Sequence, residues 1–361
     1  MKRILSSCFA AWLIFLSQTS AVGALFTHEH LTVYQSESDL ARVRLAQSVT
    51  VLADHDVYLG GRCVGVALYT EGLLINSLAA IEAESGAFVW PAQQAGLRKG
   101  DVLLAANGES LHDGTILDTI VQSAGENAIK LTVKRGEKQF ETEITPVKSK
   151  EDGKTHLGLW LRDSAAGMGT VTYVDPVNGQ FLALGHAICD ADTGQKLTVR
   201  QGKIVACRIT GVKKGKGGSA GELQGVFGVN AEVLGSVEGN SAFGLYGKAE
   251  PALMQGTLIP LGSRDLVHEG KAEIYSDFEG GDILAYEIEI THVNHQTYPS
   301  EKSLVLRVTD ERLIEKTGGI VQGLSGSPIV QDGRLIGAVT HVMISDASRG
   351  YGIFAQWMDA A

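Results

Sequence analysis

A serine inside a glycine-rich turn is the first feature of this chain with chemical content. Gly323-Leu324-Ser325-Gly326-Ser327-Pro328 leaves a hydroxyl clear of neighbouring side chains, with bare backbone N–H groups around it. Acyl transfer needs that pairing of nucleophile and oxyanion donors. The turn leads through Ile329-Val330 and the Asp332-Gly333 hairpin signal into the apolar run 335–339, so two short strands are expected behind the serine. A serine hydroxyl is a weak nucleophile at neutral pH, and a base must take its proton while a third group orients that base. Of ten histidines, His186 ends the strand pattern 181–184 through Gly185, at a junction where a ring can face a cleft. His292, His295 and His341 are rivals, and His341 is the one nearest Ser325 in sequence. For the acid, Leu304, Leu306, Val308 and Asp310 alternate with period two and share one face. Asp310 therefore continues an apolar face, either at a strand end in water or buried with a partner; Asp190, Asp192 and Asp282 are alternatives. His186, Cys189, Asp190 and Asp192 mix soft and hard donors in one loop and match no standard metal set, so neither a metal nor a cofactor is expected.

The elements that must position these groups follow from composition and pattern. With 361 residues and 44% hydrophobic content the chain buries a sizeable core and suggests two domains. Forty-four glycines against seven prolines indicate many tight turns and short strands, hence a mainly β fold. The formal charge of −10 is spread along the chain, and the one basic cluster, Lys213, Lys214 and Lys216, lies in a glycine-rich stretch, 213–221, that reads as a mobile surface loop. No nucleic-acid partner is expected on this ground. Lys2-Arg3 precede the apolar run 9–16 and the small residues Val22-Gly23-Ala24, so residues 1–24 read as a signal peptide or membrane anchor and the chain as exported. Residues 25–56 read as a polar tether with a short amphipathic helix around 40–45 and as a site of processing. Cys63, Cys189 and Cys207 are an odd number and cannot all pair internally; buried free thiols are preferred to a Cys189–Cys207 bridge.

Residues 57–147 show strands at 64–68, 72–78 and 101–106, a helix at 115–123, and a strand pair at 129–133 and 139–144. Within them, Pro91-Ala92-Gln93-Gln94-Ala95-Gly96-Leu97-Arg98-Lys99-Gly100-Asp101, followed by the Asn107-Gly108 turn, resembles a PDZ domain. The resemblance implies a groove between the 64–68 strand and the helix, where an extended peptide adds as a strand along Val64, Gly65 and Val66, its terminal carboxylate received near Gly65. The charged stretch 148–155 is a natural boundary. Residues 148–361 then carry strands at 157–161, 169–174, 181–184, 197–199, 204–210, 283–292 and 303–310, with an Asn178-Gly179 turn, which reads as a sandwich or closed barrels.

The segments Leu184-Gly185-His186-Ala187-Ile188 with Asp190 and Asp192-Thr193-Gly194, then Val308-Thr309-Asp310, then 317–329 around Ser325, and Ile336 to Val342 closely resemble the SpoIVB-type sporulation serine peptidases. The order of export segment, PDZ domain and C-terminal peptidase domain resembles them too. The resemblance implies a chymotrypsin-like double β-barrel in which His186 is the base, Asp310 its orienter and Ser325 the nucleophile. It implies an oxyanion hole from the N–H groups of Gly323 and Ser325, and a substrate-holding strand, Thr340-His341-Val342, beside the specificity pocket. Asp310 lies 15 positions before Ser325, a much shorter separation than in digestive serine proteases. The implied role is that of an exported endopeptidase acting between forespore and mother-cell membranes. It would cleave a membrane-bound regulator, leading to sigma-factor precursor processing, while the PDZ groove takes peptide C-termini or the enzyme's own tether, which self-cleavage would process. The alternative is a non-catalytic PDZ binding scaffold on a degenerate protease fold, and the intact His186, Asp310 and Ser325 weigh against it.

Overall fold

The computed structural model describes residues 55–228 and 230–358, together with three strands nearer the N-terminus. Those three, Trp12–Ser17, Ser20–Thr27 and His30–Tyr34, pair antiparallel in a sheet of their own, within a unit separate from residues 55–361. The helix expected around 40–45 lies outside the described residues. No helix among the described residues is long and apolar enough to cross a membrane.

From His55 onward the fold is built on two 16-residue strands, Cys63–Leu78 and Leu159–Val174, paired antiparallel. The sequence suggests a break near Gly72, which adopts a left-handed φ of 79°. The chain bends there instead of ending, so the strands expected at 64–68 and 72–78 are one. The expected 157–161 and 169–174 strands are likewise joined, and register shifts between Arg162 and Ser164 absorb the twist.

One half of this pair serves the PDZ core. Leu73 and Ile75 pack there with Leu103, Leu131, Val133, Leu157 and the inward face of the helix Gly114–Ala124, Leu117 and Val121. Asp113 caps that helix, accepting from the N–H groups of Thr115 and Ile116. The other half closes a barrel: Cys63–Leu78, Val199–Ala206, Val233–Ser241, Gly244–Ala249, Gln180–Ala183 and Leu159–Val174 pair in that order and return to Cys63–Leu78. Val64, Val66, Val171, Phe181, Ile204 and Leu245 fill it. Closure satisfies the backbone groups that an open edge would leave bare. A second closed barrel runs Gly270–Ser276, Leu284–Val293, Leu304–Val308, Arg349–Phe354, Arg334–Val342 and Pro328–Gln331.

Three expectations are corrected here. Val64, Gly65 and Val66 do not edge a peptide groove: Gly65 is paired with Met168 on one side and Val205 on the other, and Val64 and Val66 are buried in the first barrel. Such a strand has no free edge to offer. Leu157, Leu159 and Leu161 pack into the PDZ core, so a boundary at 147 cuts across an element that both cores share. Finally, the 213–221 loop is tied down, Gly215 N–H donating to Thr317 O (2.8 Å) and Gly218 N–H to Ile344 O (2.8 Å). Cys63, Cys189 and Cys207 are all free thiols, Cys63 buried, Cys207 half-buried and Cys189 exposed.

Candidate active site

His186 and Ser325 come from different barrels and line one cleft of ≈ 950 Å³, together with Gly323, Thr340, His341 and Val342. His186 is launched by a sharp turn at the end of Gln180–Ala183, where Leu184 and Gly185 both take φ 72°. A left-handed leucine costs about 1–2 kcal/mol, so the surroundings must hold it. Its N–H donates to Thr170 O at 3.2 Å and its side chain is buried. Beyond the ring the loop is clamped by the buried amide of Asn240, which accepts from Ile188 N–H (2.9 Å) and donates to the carbonyls of Ile188 (2.7 Å) and Leu197 (2.9 Å).

The ring's tautomer follows from its partner. Nδ1 lies 2.9 Å from the Ala187 carbonyl, which only accepts, so Nδ1 carries the proton and Nε2 is the basic nitrogen. The His341 ring packs against it with centroids 4.8 Å apart and a 39° tilt. His341 Nδ1 is buried with no partner, and burial first, then the charges of His186 and Lys302, push its pKa down to about 4. His341 is neutral at working pH.

Ser325 sits half-buried between Gly323 and Gly326, and its hydroxyl donates to Thr340 O at 2.7 Å. The N–H groups of Gly323 and Ser325 donate to no protein group among the described residues. Both are held in place through the carbonyl at the far end of their own peptide planes: Gln322 O accepts from Leu223 N–H (2.8 Å) and Leu324 O from Ser327 N–H (2.9 Å). Two uncommitted donors beside a serine are what a tetrahedral oxyanion requires.

Asp310 is not joined to His186. It is the N-cap of the helix Glu311–Thr317, accepting from Arg312 N–H (2.9 Å), Leu313 N–H (3.3 Å) and, on its other oxygen, Glu287 N–H (3.2 Å). The Arg312 guanidinium closes on it at 2.7 Å and, with these N–H groups, holds the carboxyl below its ordinary range. A carboxylate two residues past a strand and immediately before a helix meets orphan N–H groups first, which is why its partner is local. The capped helix runs through Gly318 into Ile320, Val321 and Gln322, the cleft wall.

The PDZ core has its cleft elsewhere than along Val64, Gly65 and Val66. A cleft of ≈ 760 Å³ runs between the helix Gly114–Ala124, through Leu117, Asp118 and Val121, and the segment Leu157 to Leu161. Over Leu159–Arg162 the long strand is paired only with Cys63–Leu78, so its other edge is open toward the helix. Thr170, Asn240 and this edge went unrecognised in the sequence; Thr170 and Thr172, one pitch apart in an apolar strand, are the one signal that period-two reading offers.

Ser325, the two uncommitted N–H groups of Gly323 and Ser325, and the His186 ring thus meet in one cleft at the seam of two closed barrels, the set of groups that a serine protease of the two-barrel type requires. The chain belongs to the SpoIVB peptidase S55 family, matching it over residues 153–359, and it matches the PDZ domain over residues 91–135. A 51-residue stretch is 45% identical to HhoA of Synechocystis, described as a serine protease, and covers 14% of this chain and 13% of that protein. Among solved structures, the active form of the Mycobacterium tuberculosis protease Rv3671c aligns over 54% of this chain and 72% of its own, at 15% identity and TM-score 0.33. A Listeria monocytogenes PDZ domain aligns over 31% and 93%, at 18% identity and TM-score 0.19.

Proposed function

We propose that this protease is an exported serine endopeptidase working through Ser325 and His186, with a peptide-binding groove at the open edge of Leu159–Arg162. The observation that carries the reading is the pair of uncommitted N–H groups of Gly323 and Ser325 on the cleft that also holds His186. A substrate extended along Thr340–Val342 presents its own N–H to the Thr340 carbonyl, the acceptor that Ser325 uses in its absence. The freed hydroxyl turns to Nε2 of His186, which takes its proton as Oγ bonds to the substrate carbonyl carbon. The new oxyanion is met by Gly323 and Ser325 N–H, and His186 then returns the proton to the leaving amine. Water repeats the sequence on the acyl-enzyme. The Ala187 carbonyl orients the base, and Asp310 takes part through the helix that it caps.

By family, the substrate is a membrane-bound regulator of sporulation signalling between forespore and mother cell, and the tether 25–56 is a self-cleavage site. The test is fluorophosphonate labelling of the purified protein followed by peptide mapping. An adduct on Ser325 that vanishes in Ser325→Ala and His186→Ala is expected; a folded protein that takes no label would return the molecule to a binding scaffold.

A further inference from the structure

Every peptide group from Gln322 to Ser327 is accounted for by hydrogen bonding except the two N–H groups of the oxyanion hole. The planes that carry those two N–H groups are pinned by Leu223 and Ser327, as described above. The planes between and after them are pinned by one strand. Thr170 Oγ1 donates to Gly323 O at 2.9 Å, Thr170 N–H donates to Ser325 O at 2.9 Å, and Thr172 Oγ1 donates to Gly326 O at 2.8 Å. Both threonines are 0% exposed, and their positions one pitch apart put both hydroxyls on the same face. The fit is close, since a Cβ at Gly326 would lie 2.0 Å from Thr170 O. That same Thr170 carbonyl accepts from Leu184 N–H, the start of the turn that launches His186.

Gly323 is where this scaffold is weakest. It has no side chain, takes φ 98°, and is free to exchange between backbone regions closed to other residues. Its following peptide plane is rigid and trans and lies between the two planes that carry the free N–H groups, so holding the Gly323 carbonyl restricts the φ/ψ rotations through which those two planes could turn apart. Leu324, between the two donors, offers no polar side chain to do this.

We propose that Thr170, supported by Thr172, is a positioning residue for the oxyanion hole, its hydroxyl locking the Gly323–Leu324 plane so that Gly323 and Ser325 present their N–H groups together. Its backbone places the nucleophile turn and the base's turn on one strand; its hydroxyl sets the hole. This rests on Ser325 being the nucleophile.

The test compares Thr170→Val, which keeps the shape and both backbone bonds, with Thr170→Ser, which keeps the donor. Acylation of Ser325 by p-nitrophenyl butyrate and the rate of fluorophosphonate labelling are the readouts. Thr170→Val is expected to slow both by about tenfold to a hundredfold with the KM for the ester little changed, and Thr170→Ser to restore most of the rate. Thr142→Val, which removes a half-buried threonine hydroxyl bond to Ala95 O in the PDZ domain, controls for the loss of such a bond away from the cleft and should acylate as wild type. Thr172→Val is the second reading if Thr170→Val does not fold, with a smaller loss in the same direction. Wild-type rates in both valine variants, or an equal loss in Thr142→Val, would overturn the assignment. Absence of any Ser325 adduct in the wild type would instead remove the peptidase reading on which it stands.

Discussion

His186 and His341 share a contact but have opposite electrostatic tasks. His186 commits Nδ1 to a carbonyl, which leaves Nε2 as the nitrogen that the proposed mechanism uses for proton transfer, whereas His341 is held neutral by burial, with its pKa down to about 4. An unfolded histidine titrates near 6.5, so between about pH 6.5 and 4 the unfolded chain binds a proton that the folded chain refuses at His341. The unfolded state then holds more protons, and linkage makes stability fall as pH falls through that window. Denaturant midpoints measured from pH 7 to 4 should therefore decline in the wild type and decline less steeply in His341→Gln. An equal slope in the variant would show that another group sets the acid response. Asp310 shows the limit of reading residues singly. Its place at the end of an apolar face was legible, but a strand end beside a helix start gives a carboxylate nearer partners than a distant imidazole.

Among the elements, the strand Leu159–Val174 links two sites. Its first residues pair with Cys63–Leu78 on one side and leave the other edge unpaired toward the helix Gly114–Ala124, and its last third carries Thr170 and Thr172 to the turn around Ser325. An extended peptide that adds to the open edge would lie against Trp160, which is 67% exposed. Peptides selected from a library displayed by free C-termini should change the tryptophan fluorescence on binding, and their C-terminal amides should bind weakly. The fluorescence change should disappear in Trp160→Phe with binding retained. A selected peptide that binds without touching the signal would place the groove elsewhere, since Val64–Val66 have no edge to give.

The molecule as a whole cannot be divided where its sequence suggests. Cys63–Leu78 belongs to the PDZ core through Leu73 and Ile75 and to the first barrel through Val64, Val66 and Leu68. A protein made of residues 148–361 lacks that strand, and with it a wall of the barrel that supports His186. The barrel would be left with two unpaired edges and its core open to water. Residues 148–361 alone are expected to be insoluble or to lack cooperative unfolding by circular dichroism, while residues 55–361 unfold in a single transition. A soluble, cooperatively folded 148–361 protein would contradict the shared-strand architecture.

What the sequence by itself determined was local. The glycine turn around Ser325, the strand end before His186, the PDZ signature with its helix, and the mainly β character all follow from residues within a few positions of one another. Turn chemistry and period-two alternation act at that range. Only the tertiary structure decided which strand faces the PDZ helix, what the Asp310 carboxylate binds, and how the 213–221 loop is held. Each depends on pairing between segments far apart in the chain, and alternation gives a strand's faces but not its neighbours. Thr170 belongs to the same class: its hydroxyl reaches across 153 residues to Gly323, and only the closed barrel brings them together.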